Sequence, residues 1–147
     1  MNAALAEGFF VAGTVPFIVA GSLHALGTVV DIWRPTFFTP ADAPVGVQMR
    51  GTRLALRDMF PGRPRRNFWQ AWLGFNISHG IGAAVFGILL LAMARHDFTL
   101  VTSIGIVRPL SIGISMTYLV LAIRCWFYLP AIAVGFGTAC FVLSALL

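Results

Sequence analysis

Lysine is absent from this chain: all ten basic residues are arginines, set against five acids. Charge of either sign is scarce, at 10% of residues, while 59% are apolar and the mean hydropathy is +0.87. Soluble domains carry about a quarter charged residues, so the composition excludes that class and makes lipid the natural solvent. The net charge of +5 and isoelectric point near 10.6 imply no nucleic-acid partner, because most of the arginines crowd one connector between apolar runs, which is a topology signal. Cysteine is nearly absent as well. Cys125 and Cys140 lie in apolar runs with no C-x-x-C or Cys/His spacing, so no metal site is expected and two buried thiols are. Glu7, and no basic residue, precedes the first apolar run, so a cleaved signal peptide is not expected. The patterns G-x-x-x-x-G-K-S/T, G-x-S-x-G and H-E-x-x-H do not occur. Nucleotide hydrolysis, serine-hydrolase chemistry and a zincin site therefore lack support.

What the chain does have is apolar length. A span needs ~20 apolar residues, because lipid cannot satisfy backbone amides and a helix satisfies its own. Two runs meet that length at 9–33 and 68–94, and a third, from Phe98 to Leu147, is too long for one helix. Arg124, the aromatic cluster Trp126-Phe127-Tyr128 and Pro130 divide it into spans at 100–124 and 129–147, since interfacial aromatics and a proline mark a surface hairpin. The expected fold is all-α, a single integral membrane four-helix bundle with an arginine-rich connector at 34–67.

Arg34, Arg50, Arg53, Arg57, Arg63, Arg65, Arg66 and Arg124 fall on the connector side, and only Arg95 and Arg108 on the other. The positive-inside rule predicts a cytoplasmic connector and both termini outside. Within the connector, Thr39-Pro40-Ala41-Asp42 reads as a helix start. Ala43 to Asp58 then fits an interfacial helix, although Val45, Met49, Leu54 and Leu56 form no clean stripe and Gly46 and Gly51 weaken it. Pro61-Gly62-Arg63-Pro64-Arg65-Arg66 ends that segment and suits anionic headgroups.

Polar groups inside spans are costly and normally face the interior. Gly21, His24, Thr28 and Asp31 recur at helical steps, as do Trp69, Trp72, Asn76, His79 and Ala83, and Arg108, Ser111, Ser115, Tyr118 and Cys125. His24 lies nine residues before Trp33 and His79 eleven after Phe68 on antiparallel helices, while Ser115 is nine from Arg124 and Thr138 eight past Pro130. At ~1.5 Å per residue these groups share one depth. The candidate ligand-binding residues are thus His24, His79, Asn76, Thr28, Ser115 and Tyr118. Gly80, Gly82, Ala83, Gly87, Gly135 and Gly137 predict close helix packing, with leucine at Gly80 or Gly82 disruptive.

This polar layer admits several uses. It can lock the bundle through interhelical hydrogen bonds of ~0.6 kcal/mol each. Imidazoles at His24 and His79, flanked by small residues, suit axial ligation of haem or (bacterio)chlorophyll. Histidine can also carry protons for a lipophilic substrate, with Asn76, Ser115 or Tyr118 orienting it. Asp31 lies seven residues, ~10 Å, from His24, so pairing with Arg34 or Arg124 is its expected use. A transport path is a further use of intramembrane polar groups, though the chain has no internal repeat to build one alone.

Trp69-Gln70-Ala71-Trp72-Leu73-Gly74-Phe75-Asn76-Ile77-Ser78-His79-Gly80, with Gly21-Ser22-Leu23-His24-Ala25-Leu26-Gly27-Thr28 upstream, resembles a family of small bacterial four-span membrane proteins over nearly the whole chain. The resemblance implies the architecture and singles out both histidines without assigning them chemistry. A looser likeness, to bundles of the sterol-isomerase and sigma-2 receptor type, implies an enclosed lipophilic ligand. Those bundles use buried carboxylates, which this chain lacks at mid-depth. The expected function is a non-catalytic membrane subunit or binding module, in contact with membrane lipids and with other subunits or copies of itself. The alternative is a small intramembrane enzyme or tetrapyrrole-binding redox protein acting through His24 and His79.

Overall fold

A computed structural model of the protein describes residues 3–53 and 67–147. Six helices follow one another: α1 (Ala3–Asp31), α2 (Ala43–Gly51), α3 (Phe68–His96), α4 (Phe98–Ser103), α5 (Val107–Cys125) and α6 (Tyr128–Leu146). Four stretches, Ala3–Trp33, Phe68–His96, Val107–Cys125 and Tyr128–Leu146, are long and apolar enough to cross a membrane. The chain is an all-α, multi-pass membrane protein. Among the described residues the one extended pairing is an isolated antiparallel bridge between Arg53 and Asn67.

The spans differ from the expected boundaries where capping intervenes. The run expected at 100–124 is broken into α4 and α5. Asp97 caps α4, its Oδ1 accepting the Thr99 amide at 2.9 Å, and hydrogen bonding from the Thr99 side chain, then from its amide, holds the exposed carboxyl below the usual carboxylate range. Ile104 is extended and ends α4. Pro109 then falls in the first turn of α5, where its missing N–H is no loss. The hairpin stands where the aromatics predict it, with Phe127 as the extended N-cap of α6 and Pro130 in the first turn.

The chain divides into two units, Met1–Ser22 with Ile81–Leu147, and Leu23–Gly80. In the first, Phe10, Phe17, Leu90, Ala94, Val101, Val134 and Phe141 form a buried cluster. The Phe10 and Phe141 rings lie 5.2 Å apart, and Phe17 meets Phe86 edge-on at 5.1 Å. Glycine lets backbones approach here. A Cβ at Gly137 would sit 2.9 Å from the Gly13 carbonyl oxygen, and one at Gly87 would meet Ile18 at 2.7 Å and the Thr14 carbonyl oxygen at 2.9 Å. Ser144 adds a bond to the Ala6 carbonyl at 2.8 Å. Gly82, expected to be a tight contact, is not one: it is exposed, and a Cβ there would stand 3.6 Å from the Tyr118 hydroxyl. Cys140 is buried as expected, but Cys125 is exposed, because it ends α5 one step beyond the buried positions Ser111, Ser115 and Ala122.

In the second unit α2 starts where expected, with Asp42 as N-cap and Pro44 inside the first turn. It stops at Gly51 rather than continuing to Asp58. Thr52 is extended, and its carbonyl accepts the Phe68 amide at 2.9 Å. The remainder of that expected helix, with Leu54, Leu56 and Arg57, and the segment Pro61 to Arg66 lie outside the described residues. At the entry to α3, Asn67 and Gln70 cap each other: the Gln70 amide donates to Asn67 Oδ1 at 2.8 Å and the Asn67 amide to Gln70 Oε1 at 3.2 Å. This is the reciprocal box that satisfies orphan amides at a helix start.

Candidate functional site

The second unit holds the densest polar arrangement in the described residues, and it begins at the end of α1. Asp31 is fully buried. Its Oδ1 accepts the amides of Thr36 and Phe37 at 2.7 and 2.9 Å, and its Oδ2 that of Phe38 at 2.6 Å. These contacts replace the pairing with Arg34 or Arg124 expected from charge alone. Amides a few residues beyond the helix are held close by the chain itself, whereas an arginine must give up rotamer freedom to reach the carboxylate.

The turn closed by Asp31 folds Phe38 back onto α1. The Phe38 ring lies 4.4 Å from the His24 imidazole, and its edge fills the space over Gly27, where a Cβ would come within 3.1 Å. Its carbonyl in turn accepts Trp72 Nε1 at 3.0 Å. From Trp72 the connection continues along α3, where Asn76 Nδ2 donates to the Trp72 carbonyl at 2.8 Å. Asn76 Oδ1 stands 3.1 Å from His24 Nε2. Because a carbonyl only accepts, the Trp72 contact orients the Asn76 amide, and His24 Nε2 must carry the hydrogen. Thr28 closes back on α1, its hydroxyl donating to the His24 carbonyl at 2.8 Å. Asp31, Phe38, Trp72, Asn76 and His24 form one hydrogen-bonded circuit tying α1, the connector and α3.

His79 lies beside this circuit. It is half-buried, stacked on Phe75 at 5.9 Å and edge-on to His24 at 5.7 Å. The two imidazoles therefore meet, as their depth predicts. With its Nε2 hydrogen engaged by Asn76, His24 has only Nδ1 to offer as an axial ligand. Edge contact between the rings also leaves no layer for a macrocycle. This ring contact does not fit a tetrapyrrole bracketed by both histidines.

Two of the candidate residues belong to the other unit. Ser115 is buried there and donates to the Ile112 carbonyl of its own helix at 2.9 Å. Tyr118 packs edge-on against Phe17 at 5.9 Å. Thr138 likewise bonds its own helix, at the Val134 carbonyl. Arg108 lies over the Phe98 ring at 5.9 Å.

Helical spacing does not reveal a cleft of about 420 Å³ lined by Phe38, Thr39, Pro40, Met49, Phe68 and Trp72. Its walls are aromatic and aliphatic, and Trp72 and Phe38 belong both to it and to the circuit. The volume lies in the range of small-molecule sites. The pair Phe37-Phe38 just past an apolar run is the signal that could have found it, since aromatics in a polar connector need a surface to cover. On Met49's helix, Arg50 places its guanidinium 5.1 Å from the Trp69 ring centroid.

Fold and site define a multi-pass membrane protein with an internally satisfied polar circuit and an apolar cleft beside it. Compared with family models, curated proteins and solved structures, the chain matches none.

Proposed function

We propose that the protein is a non-catalytic binding module of a bacterial inner membrane, holding a lipophilic ligand in the cleft between Phe38, Met49, Phe68 and Trp72. The observation that carries this reading is the pairing of that cleft with the circuit behind it. Asp31, Trp72, Asn76 and His24 hold one another and the Phe38 turn in place. A rigid support of this kind suits a preformed apolar site, which gains affinity from not having to order itself. Catalysis through His24 has weaker support, because the carboxylate on its helix face, Asp31, is engaged by three backbone amides.

The arginine distribution favours a cytoplasmic connector with both termini outside, which puts the cleft at the inner leaflet. Membrane lipid is the first partner of such a module. The exposed apolar faces of the spans, with Leu23, Leu26, Phe75, Ile123 and Phe136, are the surfaces on which other subunits or a second copy would pack.

Mass spectrometry of an organic extract tests the function on protein purified in mild detergent. A lipophile near one per chain is expected, lost in Met49→Asp, which puts a carboxylate in the cleft wall, and kept in His24→Gln, which retains a donor towards Asn76. A folded preparation free of any lipophile refutes the reading. A Soret band that disappears in His24→Ala would establish the tetrapyrrole alternative instead.

A further inference from the structure

We infer that the cleft takes a membrane phospholipid with an anionic headgroup, its acyl chain against Phe38, Met49, Phe68 and Trp72 and its phosphate on Arg50. The inference rests on the binding-module reading and names its ligand. Depth is the first argument. The first span ends at Trp33 and the next begins at Phe68, so a cleft built from residues 38–40, α2 and the first turns of α3 lies where hydrocarbon gives way to headgroups. A ligand seated there has apolar and polar parts on either side of that level, as a phospholipid does.

Charge is the second argument. Arg50 follows the cleft residue Met49, and its guanidinium rests over Trp69, which follows the cleft residue Phe68. A cation over an indole is held through the ring face, which leaves its five N–H donors for a phosphate. Among the described residues no carboxylate pairs with Arg50. Of the described acids in this unit, Asp31 is buried with both oxygens engaged by amides, and Asp42 stands exposed at the opposite end of α2. Arg53, also exposed, follows α2 at the same end as Arg50. The cleft wall is thus apolar, and the end of α2 that carries Met49 is basic, which matches an anionic amphiphile and disfavours a cationic one.

The test uses the full chain with Trp33→Phe and Trp126→Phe, so that Trp69 and Trp72 report. It is reconstituted in phosphatidylcholine vesicles doped with brominated-chain phosphatidylglycerol or brominated-chain phosphatidylcholine, and quenching of indole fluorescence is followed against mole fraction. Phosphatidylglycerol should quench at a severalfold lower mole fraction. Arg50→Gln should reduce that preference about fivefold, the ~1 kcal/mol that one arginine contributes near an anionic surface, with quenching by phosphatidylcholine unchanged. Arg50→Lys should keep most of the preference, and Arg34→Gln, which is not among the residues lining the cleft, should keep nearly all of it. Equal quenching by the two lipids in the parent chain overturns the headgroup assignment while leaving a lipophilic cleft. Equal losses in Arg34→Gln and Arg50→Gln overturn it as well, in favour of diffuse attraction. If neither lipid quenches, the binding-module reading itself fails.

Discussion

Asn76→Leu is the perturbation that most directly probes the circuit. Leucine has the same branched heavy-atom skeleton as asparagine, so the change removes polarity while keeping the side chain's shape. It deletes the acceptor of His24 Nε2, at 3.1 Å, in surroundings where His24 is 8% and Asn76 2% exposed. The buried imidazole N–H is then left unsatisfied, at a cost of ~1–3 kcal/mol. Within spans such bonds measure nearer ~0.6 kcal/mol, up to ~1.7. A loss of about 1–2 kcal/mol is expected, read from the midpoint of unfolding as sodium dodecyl sulfate is titrated into mild-detergent micelles and helicity is followed by circular dichroism. His24→Phe should cost a similar amount. The double variant removes both polar partners together and should be less destabilised than the sum of the two by about 0.6–1.7 kcal/mol. Additive losses, with no coupling, would refute the claim that this bond joins α1 to α3, and so would an Asn76→Leu protein as stable as the parent.

Other consequences follow from the same geometry. Asp31→Asn replaces one accepting oxygen by an NH₂ group facing the Phe38 amide at 2.6 Å. It should cost ~1–3 kcal/mol in the same titration and release Phe38 from His24, seen as faster amide exchange at 36–38. Gly87→Ala and Gly137→Ala should each lose ~1–3 kcal/mol by overpacking against backbone atoms 2.9 Å away, whereas Gly82→Ala, whose Cβ would make ordinary contact at 3.6 Å, should leave the midpoint within experimental error. Asp97 has a folded-state carboxyl pKa held below its unfolded value by Thr99. Its contribution to α4 is present above the ordinary carboxylate range near ~4 and is lost as pH falls through the lower folded value. Amide protection at 99–101 relative to Asp97→Asn should therefore vanish on acidification, and a difference that persists at low pH would contradict the cap.

Much of the fold is legible because lipid imposes a simple rule: a helix long enough to cross must be apolar nearly throughout, and its polar positions mark the inward face. That rule finds all four spans and the buried stripe Gly21, His24, Thr28, Asp31. It misses the division between α4 and α5, because Phe98 to Ser103 is as apolar as a span and only the Asp97 cap and the extended Ile104 separate it. The common depth of the polar groups was read correctly for His24, Asn76 and His79. Ser115 and Thr138 sit on buried faces, yet each satisfies its hydroxyl on its own helix. A serine or threonine in a span always has a carbonyl three or four residues back within reach, so burial alone does not make it an interhelical partner.

The connector is where spacing carries least information. Charge alone pairs Asp31 with an arginine, yet its partners are three amides of the next turn, groups that all residues but proline possess and no sequence pattern marks. Phe38 enters the circuit through its carbonyl, and again the contributing atom is backbone. Once these bonds close, the aromatic side chains they position, Phe38 and Trp72, become the wall of a cleft. His24 is then best understood through what it supports. Its imidazole donates to the amide that braces Trp72, and its ring carries Phe38. A variant at His24 should therefore impair ligand binding in proportion to its effect on stability. Loss of binding at full stability would instead make His24 itself a ligand contact.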